Sequence, residues 1–382
     1  MSGENISSSV SNIWVKATGM KQVSHSDPVS VSYKSDERVW KVQFPDLKKV
    51  WDNALSESFL NCYNLVSVGL ESLHTVDKYG MQRCFGGCTA LSTVTENYTI
   101  PVYEVKDNGF EYTFFNCYKL PELHFPNLQI VGKHSFAYAF RKCAELKTVT
   151  FPKLEVCERN TFTSAFYQCY GLKNVSFPEL KEVRQDGFQN AFNSCASLQK
   201  FVLKNIRKLE EDSFRSAFRN CDNIKYIILY NPDNEYEFSG YAFRNAFADD
   251  SNVTFIIPLE TYTTEHEYPP FLDDCGVIDV KCLYRNPKQE IQYVIEKLPK
   301  TDSAGYVVDA ENNVITTKTG EKLTIENYGR LLDRVESDIK AKIIYTDQQT
   351  QKIAYTYHYI QKASGTIVYR LRDDTYDLIL DV

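Results

Sequence analysis

Residues 137–156 read AYAFRKCAELKTVTFPKLEV, and close variants follow as TSAFYQCYGLKNVSFPELKEV at 163–183 and as QNAFNSCASLQKFVLKNIRKL at 189–209. The corresponding cysteines are 26 residues apart, except for one spacing of 29 that indicates a three-residue insertion in a loop. A fixed internal period of this length is typical of a solenoid, in which each repeat stacks on its neighbours. Seven cysteines mark the repeat: Cys62, Cys88, Cys117, Cys143, Cys169, Cys195 and Cys221.

Each repeat carries two apolar signals. Aliphatic residues stand three and six residues after the cysteine, and Phe or Leu often stands at the eighth position, before proline. This segment predicts one short strand per repeat, because proline ends a strand whose hydrogen bonds it cannot continue. Before the cysteine, a Phe-x-x-Ala-Phe segment with four-residue spacing predicts one turn of α-helix or 3-10 helix. Its two phenylalanine positions are clearest at Phe136, Phe162, Phe188 and Phe214, and at Phe140, Phe166, Phe192 and Phe218.

The pattern Phe-x-x-Cys-x-x-Leu-x-x-Val-x-Phe-Pro resembles the BspA-type leucine-rich repeats, which are common in surface proteins of oral and gut bacteria and of some protists. The usual unit of that family is shorter, so the Ala-Phe segment makes this repeat a 26-residue variant. The resemblance implies an α/β repeat solenoid, leucine-rich-repeat-like, with one short parallel strand per repeat. It also implies adhesion or protein binding, without a shared active site.

Three segments are expected along the chain. Residues 1–39 are Ser-rich and predict either an N-terminal cap for the solenoid or an arm that docks on a neighbouring subunit. Residues 40–285 comprise the solenoid with its terminal cap. Residues 286–382 lose the period and predict a small C-terminal α+β domain with an antiparallel meander. The expected elements of that domain are a helix at 326–339 and strands at 342–345, 352–359, 367–372 and 376–380.

Composition and charge argue against several classes of protein. The formal net charge is −7 and no basic stripe is present, so we expect no binding to nucleic acid and no membrane insertion. No run of apolar residues is long enough for a membrane span, and the N-terminus lacks the pattern of a signal peptide. Cysteines that recur in register predict buried, reduced thiols. We therefore expect a cytoplasmic or virion-associated protein rather than a classically secreted one.

No motif in the chain predicts a catalytic site, a cofactor site or a metal site. The sequence contains no P-loop, no dinucleotide fingerprint and no His-Glu-x-x-His, and none of its six histidines has a second histidine three or four residues away. The chain is therefore predicted not to be an enzyme. An enzymatic alternative would place a hydrolase site within residues 286–382, around His358, Asp373 and Asp374.

The fifth and seventh positions after each cysteine are the candidates for recognition. They alternate with buried strand positions, so they are predicted to point outward on the broad face that solenoids use for binding. Hydroxyl and amide groups dominate the middle repeats and the C-terminal end becomes apolar, which favours a protein or a glycan as partner; an alternative is that the C-terminal meander covers the apolar end. The predicted partner-binding residues are Thr95, Glu122, His124, Thr148, Thr150, Asn174, Ser176, Lys200, Val202, Tyr226 and Ile228.

The sequence therefore predicts a non-enzymatic binding or assembly protein that needs no cofactor. It leaves open whether the chain is an intracellular adaptor, a structural component of a phage virion or a surface adhesin. In each version the C-terminal domain would serve for attachment or for homo-oligomer formation.

Overall fold

The structure is a computed structural model in which the chain divides into two compact units. The first consists of Met1–Phe255 and Thr263–Val280, and the second of Ile256–Tyr262 and Lys281–Val382. The residues that the structure describes are 12–24, 33–229, 231, 236–247, 253–258, 270–276, 278–285, 291–295, 303–304, 314, 322, 357–361 and 367–371.

Short strands dominate the described residues, and nearly every coil of the solenoid contributes two of them. In chain order they are β1 (Ile13–Lys16), β2 (Gln22–Val23), β3 (Val39–Gln43), β4 (Lys49–Val50), β5 (Ser67–Gly69), β6 (Thr75–Val76), β7 (Thr93–Val94), β8 (Glu104–Val105), β9 (Glu122–His124), β10 (Ile130–Val131), β11 (Thr148–Thr150), β12 (Val156–Cys157), β13 (Asn174–Ser176), β14 (Glu182–Val183), β15 (Lys200–Leu203), β16 (Lys208–Leu209), β17 (Tyr226–Leu229), β18 (Glu237–Phe238), β19 (Val253–Pro258), β20 (Ile278–Arg285), β21 (Ile291–Ile295), β22 (Tyr357–Gln361) and β23 (Ile367–Leu371).

All strand pairs between coils of the first unit are parallel. The odd-numbered strands up to β17 form one sheet surface, the front sheet, in the hydrogen-bonded runs β1-β3-β5-β7, β9-β11-β13 and β15-β17. The even-numbered strands up to β18 form the back sheet, in the runs β2-β4-β6-β8-β10 and β12-β14-β16-β18. The parallel solenoid is confirmed, but the expectation of one strand per repeat is wrong. The two-residue back strands are too short to produce an alternating pattern in the sequence.

The Phe-x-x-Ala-Phe segments form a ribbon of turns instead of the predicted turn of helix. In residues 133–142, the left-handed backbone conformation recurs every four residues, at His134, Tyr138 and Lys142, with φ of 56°, 58° and 63°. An α-helix needs an unbroken right-handed backbone, and each left-handed residue costs about 1–2 kcal/mol. The α/β class is therefore not confirmed: within the described residues, the one helical element is a 3-10 helix at Pro270–Leu272.

Hydrogen bonds between coils compensate for this unusual backbone. The amide of Ala137 donates to the carbonyl of His134 within the same coil, at 3.1 Å, whereas the next amide, of Tyr138, donates to Thr163 of the following coil, at 2.9 Å. The same alternation continues through Phe140, which donates to Ala165 at 2.9 Å. Every second amide along the ribbon thus links neighbouring coils, which an isolated helix could not do.

Stacked phenylalanines fill the core, as the sequence predicts. Along one ladder the ring centroids of Phe162 and Phe188 are 5.1 Å apart, with an interplanar angle of 10°. Along the second ladder Phe166 lies 5.3 Å from Phe140 and 5.4 Å from Phe192. All five side chains are fully buried. Aromatic pairs of this kind contribute about 0.5–1.5 kcal/mol each beyond the burial of their area.

The repeated cysteines form a hydrogen-bonded column beside the second phenylalanine ladder. The thiol of Cys169 donates to the carbonyl of Phe140 at 3.0 Å, and that of Cys195 donates to Phe166 at 3.1 Å. The prediction of buried thiols is confirmed for the ten cysteines described in the structure, none of which forms a disulfide. Burial raises the pKa of the Cys62 thiol from 9.0 to about 11 and that of Cys221 to about 12.

The three-residue insertion lies directly after β7, in a loop, as the sequence predicts. The hydroxyl of Thr95 donates to the carbonyl of Thr99 at 3.0 Å and accepts from its amide at 2.8 Å. The front sheet is interrupted here, but β8 still pairs with β6 in register on the back sheet. The insertion is therefore absorbed within one corner of one coil.

The first strands of the chain extend both sheets. β1 pairs with β3, and β2 pairs with β4, both in parallel. In the second unit, β21 and β22 each pair with β23 in antiparallel orientation. The helix expected at 326–339 and the strands expected at 342–345 and 376–380 lie outside the described residues.

Candidate functional site

The centre of the predicted binding face is the three-stranded run β9-β11-β13. Successive residues of a strand point to opposite faces of the sheet. Because the three strands pair in parallel and in register, equivalent outward side chains lie side by side. Their outward side chains, which are half-buried or exposed, form two rows of three that we call the polar face. One row is Glu122, Thr148 and Asn174, and the other is His124, Thr150 and Ser176.

The side chains of the polar face interact with one another. Nδ1 of His124 lies 3.0 Å from the hydroxyl oxygen of Thr150, a hydrogen bond between β9 and β11. Nε2 of the same histidine lies 3.7 Å from a carboxylate oxygen of Glu122. These contacts orient the imidazole along the sheet and leave the hydroxyl, amide and carboxylate groups accessible to a partner.

Glu122, His124 and Thr150 place a carboxylate, an imidazole and a hydroxyl group in the order that hydrolytic triads also have. Such triads hold neighbouring groups at about 2.6–3.2 Å, whereas Glu122 and His124 are 3.7 Å apart. Thr150 lies in the middle strand of the run, which is paired on both sides.

The C-terminal end of the front sheet only partly matches the expected surface. Lys200 and Tyr226 are paired neighbours and remain half-buried, as does Val202. Ile228 was expected to point outward, but its side chain is 2% exposed. Ile228 is therefore not accessible to a partner in this structure, because strand alternation alone does not show whether a position is covered.

Thr95 is the second correction to the predicted set. It occupies an outward position by counting from the cysteine, yet it is 6% exposed and adopts a left-handed φ of 55°. The strand has already ended at Val94, and the Thr95 side chain joins the insertion loop through Thr99. Counting positions fails at this residue because the three-residue insertion begins there.

The back sheet differs from the front sheet in carrying several ion pairs between neighbouring coils. Asp77, which is nearly buried, lies 3.2 Å from the Lys49 ammonium and 2.6 Å from that of Lys106. Burial raises the pKa of the Asp77 carboxyl, but the two ammonium groups lower it more, so that pKa lies below its ordinary value. Glu158 and Arg184 continue the pattern with a pair at 2.9 Å. Such mutual pairing makes the back sheet a solvated surface rather than a charged site.

The turn ribbon carries an aromatic and arginine cluster that the sequence analysis missed. The rings of Tyr112 and Tyr138 stack at 4.4 Å with an angle of 3°, and the Arg83 guanidinium lies 5.1 Å from the Tyr112 ring. Arg141 lies 4.9 Å from the ring of Tyr167. The left-handed ribbon positions stack from coil to coil on the outer surface. If these segments were helices, as the sequence predicts, the same side chains would not be expected to stack.

No cation site or membrane-spanning element is found in the described part of the chain. Among those residues, no three potential metal-ligating side chains come together, and no helix has the length and apolar character to cross a bilayer. The hydrolase alternative lies outside what can be described: Asp373 and Asp374 are not described, and neither is the side chain of His358.

The comparison with protein-family models agrees with the repeat geometry. The family described as BspA type Leucine rich repeat region matches in six copies, over residues 41–138 and 111–248. No curated protein matches significantly. Among solved structures 33 chains match. One belongs to the crystal structure of a TLR13–ssRNA13 complex, with 10% identity and a TM-score of 0.24 over 64% of this chain. This chain spans 43% of that protein chain. Because the family match extends over more than half of the 382 residues, the chain belongs to the BspA-type leucine-rich repeat family.

Proposed function

We propose that the chain is a non-enzymatic protein-binding scaffold whose front sheet receives the partner. The observation that carries this proposal is the polar face, six hydrogen-bonding side chains held in register on three parallel strands. Leucine-rich-repeat and related solenoids bind through extended surfaces that rigid repeats create. Nine front strands at about 4.8 Å spacing make a surface roughly 40 Å long.

The chemistry of the polar face supports a protein partner. Thr148, Thr150, Asn174 and Ser176 are short side chains, which lose little conformational entropy when a partner immobilises them. Among its six residues only Glu122 carries a fixed charge. Depletion of charge at the centre is characteristic of protein interfaces. By contrast, the back sheet carries charged side chains that pair with one another, such as Asp77 with Lys49 and Lys106.

A matched pair of threonine substitutions tests the proposal. Thr150→Lys places a long cation at the centre of the polar face, whereas Thr75→Lys makes the same change on back strand β6, where the residue is also half-buried. Each substitution removes one side-chain hydrogen bond to a histidine, so each should lower the free energy of unfolding by a similar amount, about 0.5–1.5 kcal/mol. The tagged chain is incubated with a lysate of its source cells, and retained proteins are quantified by mass spectrometry.

We expect proteins captured by the unmodified chain to be lost with Thr150→Lys and retained with Thr75→Lys. If both variants retain the same proteins, the front sheet is not the binding surface.

The scaffold could act in one of two settings, as an adaptor or as a component of an assembly. An adaptor would act as a single chain, whereas a virion or adhesin component would use residues 286–382 for attachment or self-association. Mass measurement of the full chain at micromolar concentration distinguishes them. A stable monomer argues against the assembly version, and a defined oligomer argues for it.

A further inference from the structure

A second surface lies at the corner between the turn ribbon and the front sheet. The repeated cysteine starts a tight turn there: the amide of Leu120 donates to Cys117 at 3.2 Å, and that of Leu172 donates to Cys169 at 3.0 Å. The residue after the cysteine therefore projects from the corner. Where that residue is tyrosine it is among the most exposed large side chains: Tyr63 is 44%, Tyr118 42% and Tyr170 50% exposed.

These corners are tied to one another, so their side chains form a column. The carbonyl of Tyr118 accepts from Glu145 of the next coil at 3.0 Å, and the carbonyl of Ala144 accepts from Gly171 at 3.0 Å. A Cβ atom at Gly171 would lie 2.7 Å from that Ala144 carbonyl oxygen, so the two corners are in close contact. We call the column formed by the first six of these residues the tyrosine edge: Tyr63, Thr89, Tyr118, Ala144, Tyr170 and Ala196; Asp222 follows the seventh cysteine.

Tyrosine alternates with a small residue along the tyrosine edge, so the rings recur on every second coil. Coils joined by parallel strands are about 4.8 Å apart, which places successive tyrosines about 9.6 Å apart. A polyproline II helix has three residues per turn and rises about 3.1 Å per residue, a repeat of about 9.3 Å. The two-residue repeat of a β-strand, about 6.7 Å, and the helical pitch, about 5.4 Å, do not match.

The charges around the tyrosine edge further define the ligand. The corner segments of three consecutive coils contain four exposed lysines and one exposed glutamate. These segments are residues 116–121, 142–147 and 168–173. This local excess of positive charge contrasts with the net charge of −7 of the whole chain. A ligand that complements it carries acidic side chains. The lysines are Lys119, Lys142, Lys147 and Lys173.

We propose that the tyrosine edge binds an acidic, proline-rich segment of another protein in the polyproline II conformation. Proline pairs lie over Ala144 and Thr89, between successive tyrosine rings, and the acidic residue of each turn faces the lysines. Proline-rich segments bind aromatic-lined grooves because their conformation is already ordered before binding. The site is separate from the polar face and does not depend on the function proposed for it.

The test uses the full chain and a fluorescein-labelled peptide of four Pro-Pro-Glu triplets, with fluorescence anisotropy as the readout. Tyr118→Ala together with Tyr170→Ala should weaken binding by at least about tenfold, as removal of aromatic anchors does. Tyr241→Ala is the matched control, because Tyr241 is similarly exposed, at 41%, but lies outside the tyrosine edge. Unchanged thermal unfolding of each variant shows that the fold is retained.

Two further comparisons separate the polyproline repeat from simple charge attraction. Ala144→Tyr fills the gap with a residue that the same turn already carries in the adjacent coils, and it should abolish binding by breaking the two-coil spacing. A peptide of four Gly-Ser-Glu triplets has the same charge without the polyproline conformation, and it should bind at least about tenfold more weakly. Equal binding of both peptides, equal binding by the tyrosine variants, or no binding of the proline peptide would each overturn the proposal.

Discussion

At the scale of single residues, the repeated cysteine has a structural role that hydrophobicity alone does not explain. From Cys88 to Cys221, each repeated thiol fills a small buried space and also donates to a phenylalanine carbonyl of the preceding coil, as Cys169 does to Phe140; the Cys62 thiol donates to the carbonyl of Tyr33. A buried acceptor gains free energy from such a partner. Alanine would fill less of the space and could not donate. The recurrence of cysteine at one position therefore reflects packing and hydrogen bonding together.

The buried thiols predict that stability decreases in alkaline solution. In the unfolded chain a thiol ionises near pH 9.0, whereas in the folded chain burial raises the pKa of Cys62 to about 11. Stabilisation from this shift is complete below pH 9.0 and is lost as the pH rises toward 11. Each such thiol contributes a slope of up to about 1.4 kcal/mol per pH unit.

Urea unfolding between pH 7.5 and pH 10 measures this effect. The variant Cys169→Ala, which lacks one buried thiol, should show a shallower decrease above pH 9 than the unmodified chain. A pH profile that is flat through this range would contradict the burial of the cysteine column.

At the scale of elements, the turn ribbon is the feature that departs most from expectation. Its left-handed residues recur every four positions, close enough to the 3.6-residue period of a helix that the two cannot be told apart by spacing. The amides of Tyr138 and Phe140 bond to the following coil, which decides in favour of the ribbon. A pattern in one repeat carries no information about such contacts.

Substitutions at Lys142 distinguish the ribbon from a helix. This exposed residue has a φ of 63°, which glycine adopts freely and a β-branched residue does not. Lys142→Val should destabilise the fold by about 1–2 kcal/mol relative to Lys142→Gly. In a helix the order would be reversed, because glycine is the poorer helix former. Thermal or urea unfolding of the two variants gives the order directly.

At the scale of the whole solenoid, stability comes from contacts that each coil shares with its neighbours. The unit is too short to bury both of its phenylalanines alone, and the rings of Phe140, Phe166 and Phe192 lie 5.3 and 5.4 Å apart in succession. Solenoid stability is approximately a sum of repeat and interface terms. A defect in a central coil therefore weakens two interfaces at once.

Phe166→Ala should destabilise the solenoid by about 3–5 kcal/mol, because it leaves a cavity between two stacked rings. Tyr170→Ala, four residues away in the same coil, removes a side chain that is half exposed and should cost less than about 0.5 kcal/mol. Denaturant unfolding of both variants measures the difference. Similar costs for the two would mean that the inside and outside of the coil have been misassigned.

The sequence by itself determined the period, the position of the insertion and the burial of the repeated phenylalanines and cysteines. Those features depend on which side chains avoid water. The positions of Phe136, Phe166 and Cys169 are occupied by buried apolar side chains in successive coils. The family resemblance follows from the same residues, and the match over 41–248 agrees with it.

Only the tertiary structure decided the backbone between those residues and the exposure of particular surface positions. The second strand of each repeat and the turn ribbon depend on contacts between coils, and the burial of Thr95 and Ile228 does not follow from their positions in the repeat. The alignment of Tyr118 over Ala144 likewise depends on hydrogen bonds from coil to coil. A local pattern records whether a side chain is buried, but backbone hydrogen bonds between distant residues leave no comparable signal in the sequence.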